Sequence, residues 1–555
     1  MKKTKTSNYL ILLLLLFFIV TPIATVFLRA IIIDGRLNFS QAAELIFTKD
    51  NLLTIKNSLL LGILVVICAS LIATPLGFIF TKSRLAKYKW LEIIFMIPFM
   101  TPPYILSMGW ILFCQKRGLF QQLFPATGNF SEKFFSIFGL VMVMSLHIFP
   151  FMTNIIKNSI GNISANMDES AKISGAGLGY RLRKIIFPLL TGNYAIGMLL
   201  VFIKTLSEYG TPATIGRRIG FIVFTTDIHR YATVAPIDFG KAASLSSILV
   251  IICMLMRMVQ NRVTEKNTYN LVGQKSARTK EMNHPVIFDV LAVIYLIILI
   301  VFSIGIPYFS IIVTSLINLR GYGLKAGNFT GKHYLDLFQN RSAAKRALFT
   351  SFGLGAATAI ICAVIGTFIV VSLYRQGKWK KYLENIAILP EMIPNIVFVI
   401  GLMIFWNKIY NVIPLYNTVG FMVLVYSVMF LPFTIQYVSS SFLQMGDNLI
   451  QAAKISGASK AYTFRKVILP LIAPSISSAA MMTFIISFRE LVASSIISPP
   501  NVMTVSTFIT SEFEQGSVSV GMAMAVVCVF ITTGLLIVVN ILNNKRNKKI
   551  ILDTK

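Results

Sequence analysis

Charge is scarce in this sequence: 13% of its 555 residues are Asp, Glu, Lys or Arg, against 55% that are hydrophobic. A water-soluble fold of that composition could not hide its apolar surface, so a soluble globular protein is excluded and lipid is the medium. Negative charge is scarcest, with 21 acidic against 51 basic residues and a formal net charge of +30. Cysteine and histidine are also few, at five and four. Cys68, Cys114, Cys253, Cys362 and Cys528 fall in or at the edge of apolar runs, with no CxxC and no His partner nearby. They read as small buried hydrophobes, which excludes a zinc site and a disulfide framework. His147, His229, His284 and His333 fall into no catalytic or metal-ligand spacing, so no metal is expected. Asp227, His229 and Tyr231 in an external loop could in principle meet a metal ion, but an ordinary polar loop accounts for them better. No stretch fits GxxxxGKS or GxxxxGKT, so the chain has no phosphate-cradling loop, is not expected to hydrolyse ATP itself and calls for no cofactor. Gly175-Ala-Gly-Leu-Gly179 is glycine-rich but follows no strand.

What the sequence does have is long apolar runs. Stretches of about 20 residues recur near positions 20, 66, 102, 145, 200, 250, 300, 360, 395, 430, 480 and 530, the length a helix needs to cross a bilayer. The expected fold is therefore an all-α integral membrane protein with about twelve transmembrane helices. The first run, Tyr9 to Ala30, follows Lys2, Lys3 and Lys5, exceeds a signal-peptide core and lacks a clear small-residue cleavage site, so it reads as an uncleaved span. Basic residues concentrate in the amino-terminal tail, in 82–89, 157–184, 257–280, 375–381 and 454–466, and in the carboxyl-terminal tail, all on one side of the twelve spans. The positive-inside rule then puts both termini in the cytoplasm and explains the basic excess without a nucleic-acid partner.

Comparing the chain with itself shows a repeat. Asn57-Ser58-Leu59 matches Thr350-Ser351-Phe352, Leu91-Glu92 matches Leu383-Glu384, and Pro98 and Pro102 match Pro390 and Pro394 at a shift of 292. Pro150, Gly175, Pro188 and Glu208 match Pro432, Gly457, Pro470 and Glu490 at a shift of 282, so extra residues in the first half are expected in the loop Gln115 to Lys133. An even number of spans per repeat gives both halves one orientation, which predicts two parallel six-helix bundles. The expected division is a first transmembrane domain at 1–270, a cytoplasmic linker at 271–285 and a second transmembrane domain at 286–555.

The strongest chemical signal lies after the fourth span of each half, in loops at 165–190 and 447–472. The first reads Glu169-Ser170-Ala171-Lys-Ile-Ser-Gly175, then nine residues, then Ile185-Ile-Phe-Pro188. The second reads Gln451-Ala452-Ala453-Lys-Ile-Ser-Gly457, nine residues, then Val467-Ile-Leu-Pro470. Small residues before a Gly make a short helix that another protein can approach closely, and the Gly lets the chain turn afterwards. Arg181, Arg183, Lys184, Arg465 and Lys466 are expected at the headgroups, before Pro188 and Pro470 open the next span.

This pattern resembles the loop known as the EAA motif of permease subunits in binding-protein-dependent ATP-binding-cassette (ABC) importers. The resemblance implies that each loop forms a coupling helix inserting into a cleft of a separate ATPase subunit. It implies as partners two such ATPase subunits and an extracytoplasmic solute-binding protein that delivers solute to the outer mouth, with ATP-driven closure flipping access. Ser170 stands where the motif has its first Ala, and Gln451 where it has its acidic residue, which puts the strength of the second loop's coupling in doubt. The plan also looks like the fused two-domain iron(III) permeases, with thiamine, polyamine and aminoalkylphosphonate permeases as relatives. Leu206-Ser-Glu-Tyr-Gly-Thr-Pro-Ala213 and Pro236-Ile-Asp-Phe-Gly240 incline the reading to iron transport across the cell inner membrane.

Glu208 and Glu490 occupy matched places towards the external end of the fifth span of each half, where an unpaired carboxylate in hydrocarbon is expensive. Two roles stay open for them: lining the solute's pathway, or a structural ion pair such as Lys204 with Glu208. Gly210 and Pro212 are expected to break the helix there. An ion-coupled secondary transporter could share twelve spans and a repeat, but has no use for two matched coupling loops. A membrane-embedded enzyme would need a catalytic cluster, which the sequence lacks.

Overall fold

A computed structural model describes residues 9, 11–33, 36–38, 40, 44, 47–125, 130–161, 170–171, 173–268, 286–339, 342–373, 378–445 and 448–553. The linker expected at 271–285 lies outside them. Helices dominate because in hydrocarbon every backbone N–H and C=O must be satisfied within its own segment. Extended pairing among the described residues consists of a short antiparallel pair, Ile32–Ile33 with Arg36–Leu37, and a bridge between Ile317 and Phe329. In chain order the elements used below are α1 (Ile11–Ile31), α2 (Lys49–Lys82), α3 (Lys89–Met100), α4 (Pro103–Cys114), α5 (Ile137–Gly161), α6 (Phe187–Ser207), α7 (Phe224–Thr233), α8 (Phe239–Thr268) and α9 (Val286–Leu316). They continue with α10 (Ser342–Leu373), α11 (Lys378–Met392), α12 (Asn395–Lys408), α13 (Val419–Met445), α14 (Asn448–Ile455), α15 (Leu469–Phe488), α16 (Val505–Glu514) and α17 (Val518–Asp553).

Ten helices among the described residues are long and apolar enough to cross a membrane. The twelve expected spans are reached by counting two bent pairs, because the runs near 102 and 395 are not straight helices. Lys89–Met100 meets Pro103–Leu123 at 88°, and Leu383–Met392 meets Asn395–Lys408 at 109°. The cause is the matched prolines: Pro102 and Pro394 take an extended backbone that cannot continue a helix, and each restricts the residue before it. The extra residues of the first half include two short helices, Leu119–Leu123 and Phe130–Phe134.

The chain packs as two compact units whose membership departs from the order of the repeat. One comprises 1–45, 228–247 and 331–555; the other comprises 46–227 and 248–330. Thus α1, the first span of the first repeat, packs within the unit built mainly from the second, and α9 packs within the unit built mainly from the first. Both contacts use one device. In the first unit α1 lies on α12 so closely that a Cβ at Gly401 would stand 2.6 Å from the Pro22 carbonyl oxygen. In the second unit α9 lies on α4, and a Cβ at Gly109 would stand 2.6 Å from the Pro307 carbonyl oxygen. Glycine is required there by the approach of another backbone.

Proline also explains a recurrent widening of the helices. Four π-helical turns, Leu16–Val20, Leu182–Ile186, Val301–Gly305 and Phe464–Ile468, each end two residues before Pro22, Pro188, Pro307 or Pro470. Proline donates no hydrogen bond and its ring crowds the carbonyl four residues back, so the preceding turn opens to five-residue spacing. The carbonyl that loses its donor to Pro22 finds another: Thr21 donates its hydroxyl to Phe17 O. Pro188 and Pro470 therefore do not open their spans as expected; the helices already run from Gly179 and Ala461.

Candidate functional site

The two EAA-like loops have the same local build wherever they are described. In the second, α14 carries Gln451, Ala452 and Ala453, with Gln451 and Ala452 exposed. The turn closes with Ala458 N–H donating to Ala453 O at 3.0 Å across Gly457, whose φ is +76°. In the first, Ser170 and Ala171 are helical, Ala176 N–H donates to Ala171 O at 3.0 Å, and Gly175 has φ +79°. Nothing lies within 4 Å of a Cβ built on either glycine, so the requirement is the left-handed backbone alone. Glu169 lies outside the described residues. Motif reading missed the side chains that each loop presents. Ile173 and Ile455, equivalent in the repeat, are each 87% exposed, and Tyr180 and Tyr462 are exposed as well. A sequence signal existed, since both residue types recur at the same shift of 282. Arg181 is buried, 6% exposed, as is Thr463 at the matched position of the copy, while Arg183, Lys184, Arg465 and Lys466 are exposed.

The second matched place is the end of the fifth span. α6 stops at Ser207, and Glu208 takes an extended backbone before a short helix resumes at Gly210. Gly210 and Pro212 thus belong to the resumed helix rather than causing the break. Glu208 Oε1 accepts from Thr211 N at 3.0 Å, and Glu490 Oε2 accepts from Ala493 N at 3.2 Å, the same three-residue reach in both halves. Each glutamate's own carbonyl accepts a hydroxyl from the next element: Thr225 to Glu208 O at 2.8 Å, and Ser506 to Glu490 O. The first N–H of that element is held from the second span of the half, Phe224 N donating to Ser58 Oγ and Val505 N to Ser351 Oγ, both at 2.8 Å. Lys204, the alternative partner for Glu208, places its Nζ 5.0 Å above the Phe151 ring.

Asp227, His229 and Tyr231 sit on the helix α7 and not in a loop. Asp227 is buried and accepts from Thr54 Oγ1 at 3.1 Å, while the His229 ring meets Ser495 and Thr233 hydroxyls, each at 3.1 Å. Among the described residues no group of three or more His, Cys, Asp or Glu is placed to hold a metal ion.

A two-repeat helical membrane protein with bent third spans, fifth spans that end at matched glutamates and a matched pair of exposed loops is the membrane part of a transporter. Its sequence matches the family of binding-protein-dependent transport system inner membrane components over residues 73–268 and 359–551. The chain belongs to that family: it is a multi-pass inner-membrane permease subunit of an ABC importer, a subunit type that is not itself an ATPase. It is similar to the ferric transport system permease protein FbpB of Actinobacillus pleuropneumoniae, 24% identical over 95% of this chain and 76% of that protein. It is also similar to the Fe(3+)-transport system permease protein FbpB 2 of Haemophilus influenzae, 22% identical over 89% of this chain and 91% of the other. The trehalose transport system permease protein SugB of Mycobacterium tuberculosis is 32% identical over 35% of this chain and 70% of its own length.

Proposed function

We propose that this permease imports iron(III), with residues 1–270 and 286–555 as its two permease domains, 271–285 as linker, and two separate ATPase subunits docked on its two loops. The observation that carries the coupling role is the duplicated loop: one turn geometry, one positive-φ glycine and one exposed isoleucine in each. Near-full-length similarity to two ferric permeases supports iron as the solute. Glu169, Ser170, Ala171, Gly175 and Pro188 form the first coupling site; Gln451, Ala452, Ala453, Gly457 and Pro470 form the second. The turns at Glu208 and Glu490, where the fifth spans end, border the solute's route. An external binding protein delivers the ion, and ATP-driven closure of the ATPase subunits moves the coupling loops and flips access.

Reconstituting the chain with its ATPase and binding protein and following radioactive iron(III) uptake tests this; uptake that survives a disabled ATPase would refute it. Both termini are assigned to the cytoplasm, and reporter fusions should place them there. Exposed apolar anchors carry interface energy out of proportion to their number. Ile173→Asp and Ile455→Asp are therefore expected to weaken ATPase co-purification by about tenfold each, without loss of membrane insertion. Glu169→Ala should weaken it more than Gln451→Ala, because the charge is present only in the first.

A further inference from the structure

We propose that Glu208 and Glu490 work as hydrogen-bond-accepting caps that hold the turn at the end of the fifth span of each half, and that their negative charge is dispensable for transport. This rests on the reading that the turn borders the solute's route, and it replaces the natural expectation that a carboxylate beside such a route is there to hold a cation.

The geometry is the same twice over. Each side-chain oxygen reaches the N–H three residues ahead, Thr211 at 3.0 Å and Ala493 at 3.2 Å, which is the reach of an N-cap satisfying an orphan donor of the following helix. Each glutamate's carbonyl is committed to a hydroxyl of the next element, Thr225 or Ser506. In the first half Gly210 makes room for this: a Cβ there would stand 3.0 Å from Tyr104 and 3.3 Å from Glu208 Oε1. The carbonyl and one carboxylate oxygen of each residue are thus spent on the shape of the chain.

The surroundings fit a cap better than a cation ligand. Hard cations gather several oxygen ligands at short distance, and among the described residues no group of three or more His, Cys, Asp or Glu converges here. Glu208 Oε2 is buried without a hydrogen-bond partner, and Glu490 is 7% exposed. A charge held there without compensation is costly, whereas an amide oxygen would accept the same N–H.

The test uses the whole importer, permease with ATPase and binding protein, in proteoliposomes with iron(III) as the probe. Glu208→Gln with Glu490→Gln keeps the acceptor and removes the charge; its uptake is expected within about twofold of the parent. Glu208→Ala with Glu490→Ala removes the cap and is expected to lower maximal uptake about tenfold, with the half-saturating binding-protein concentration unchanged and ATP hydrolysis continuing unproductively. Uptake lost in the Gln pair at normal protein level would overturn the proposal by showing that charge is needed. Full uptake in the Ala pair would overturn it by showing that no cap is needed. Should the Ala pair fail to insert, the Gln pair decides alone. The underlying route reading is tested separately, with Glu208→Cys and Glu490→Cys in a chain whose five native cysteines are replaced. Absence of reaction with a small water-soluble thiol reagent during turnover would remove the route while leaving the Gln and Ala results to judge the cap.

Discussion

Gly175→Val and Gly457→Val are each expected to cut solute uptake at least tenfold while the chain stays inserted at its normal level. Both glycines hold φ near +80°, where a β-branched residue is strained by about 1–3 kcal/mol. That strain alone can shift a short exposed loop between conformations by about fivefold to about 150-fold. Because open space surrounds both positions, no steric clash competes as an explanation. The turn would relax towards negative φ and break the Ala176 to Ala171 or Ala458 to Ala453 hydrogen bond, turning Ile173 or Ile455 away from its partner. Asn visits the left-handed region with little penalty, so Gly175→Asn and Gly457→Asn should retain most uptake. ATPase co-purification and uptake measured together decide it; a Val variant that keeps both would refute the coupling role of the turn.

Gly109→Ala and Gly401→Ala are expected to destabilise the membrane domain outright. The added methyl would stand 2.6 Å from the carbonyl oxygen of Pro307 or Pro22, and that neighbour is backbone beside a proline, with no rotamer to move. Overpacking of this kind costs about 1–3 kcal/mol, and separation of the first span from its bundle follows where the backbone cannot yield. Thermal unfolding in detergent should show a lower midpoint for both variants. Gly353→Ala is the control, since nothing lies within 4 Å of its Cβ and Ala is the better helix former. Equal midpoints for all three would mean that the close contact of α1 with α12 and of α9 with α4 is not present in the folded protein.

Much of this fold could be read in the sequence because lipid imposes simple demands. A backbone that finds no water must satisfy itself, so the apolar runs announced the helical passages, which fold as ten single spans and two bent helix pairs, and matched prolines and glycines announced two copies of one plan. The turn glycines were legible for the same reason: a positive φ leaves few alternatives, and Gly175 and Gly457 both take it at the motif's turn. The exposed pairs Ile173 with Ile455 and Tyr180 with Tyr462 recur at the repeat's spacing, but among so many apolar residues only burial separates a presented side chain from a packed one.

By itself the sequence determined the medium, the helical class, the repeat and the family-like loops, since each follows from local composition or fixed spacing. Tertiary structure decided three things that no local pattern encodes. It decided that each first span packs in the unit built mainly from the other repeat, because an apolar helix is equally compatible with either bundle until a glycine and a proline carbonyl are brought face to face. It decided that the third spans bend by 88° and 109°, because proline permits a break without setting its angle. And it decided that Glu208 and Glu490 each turn one carboxylate oxygen onto a backbone donor three residues ahead, because whether a carboxylate points into a route or back onto its own chain depends on the hydroxyls and glycine packed around it.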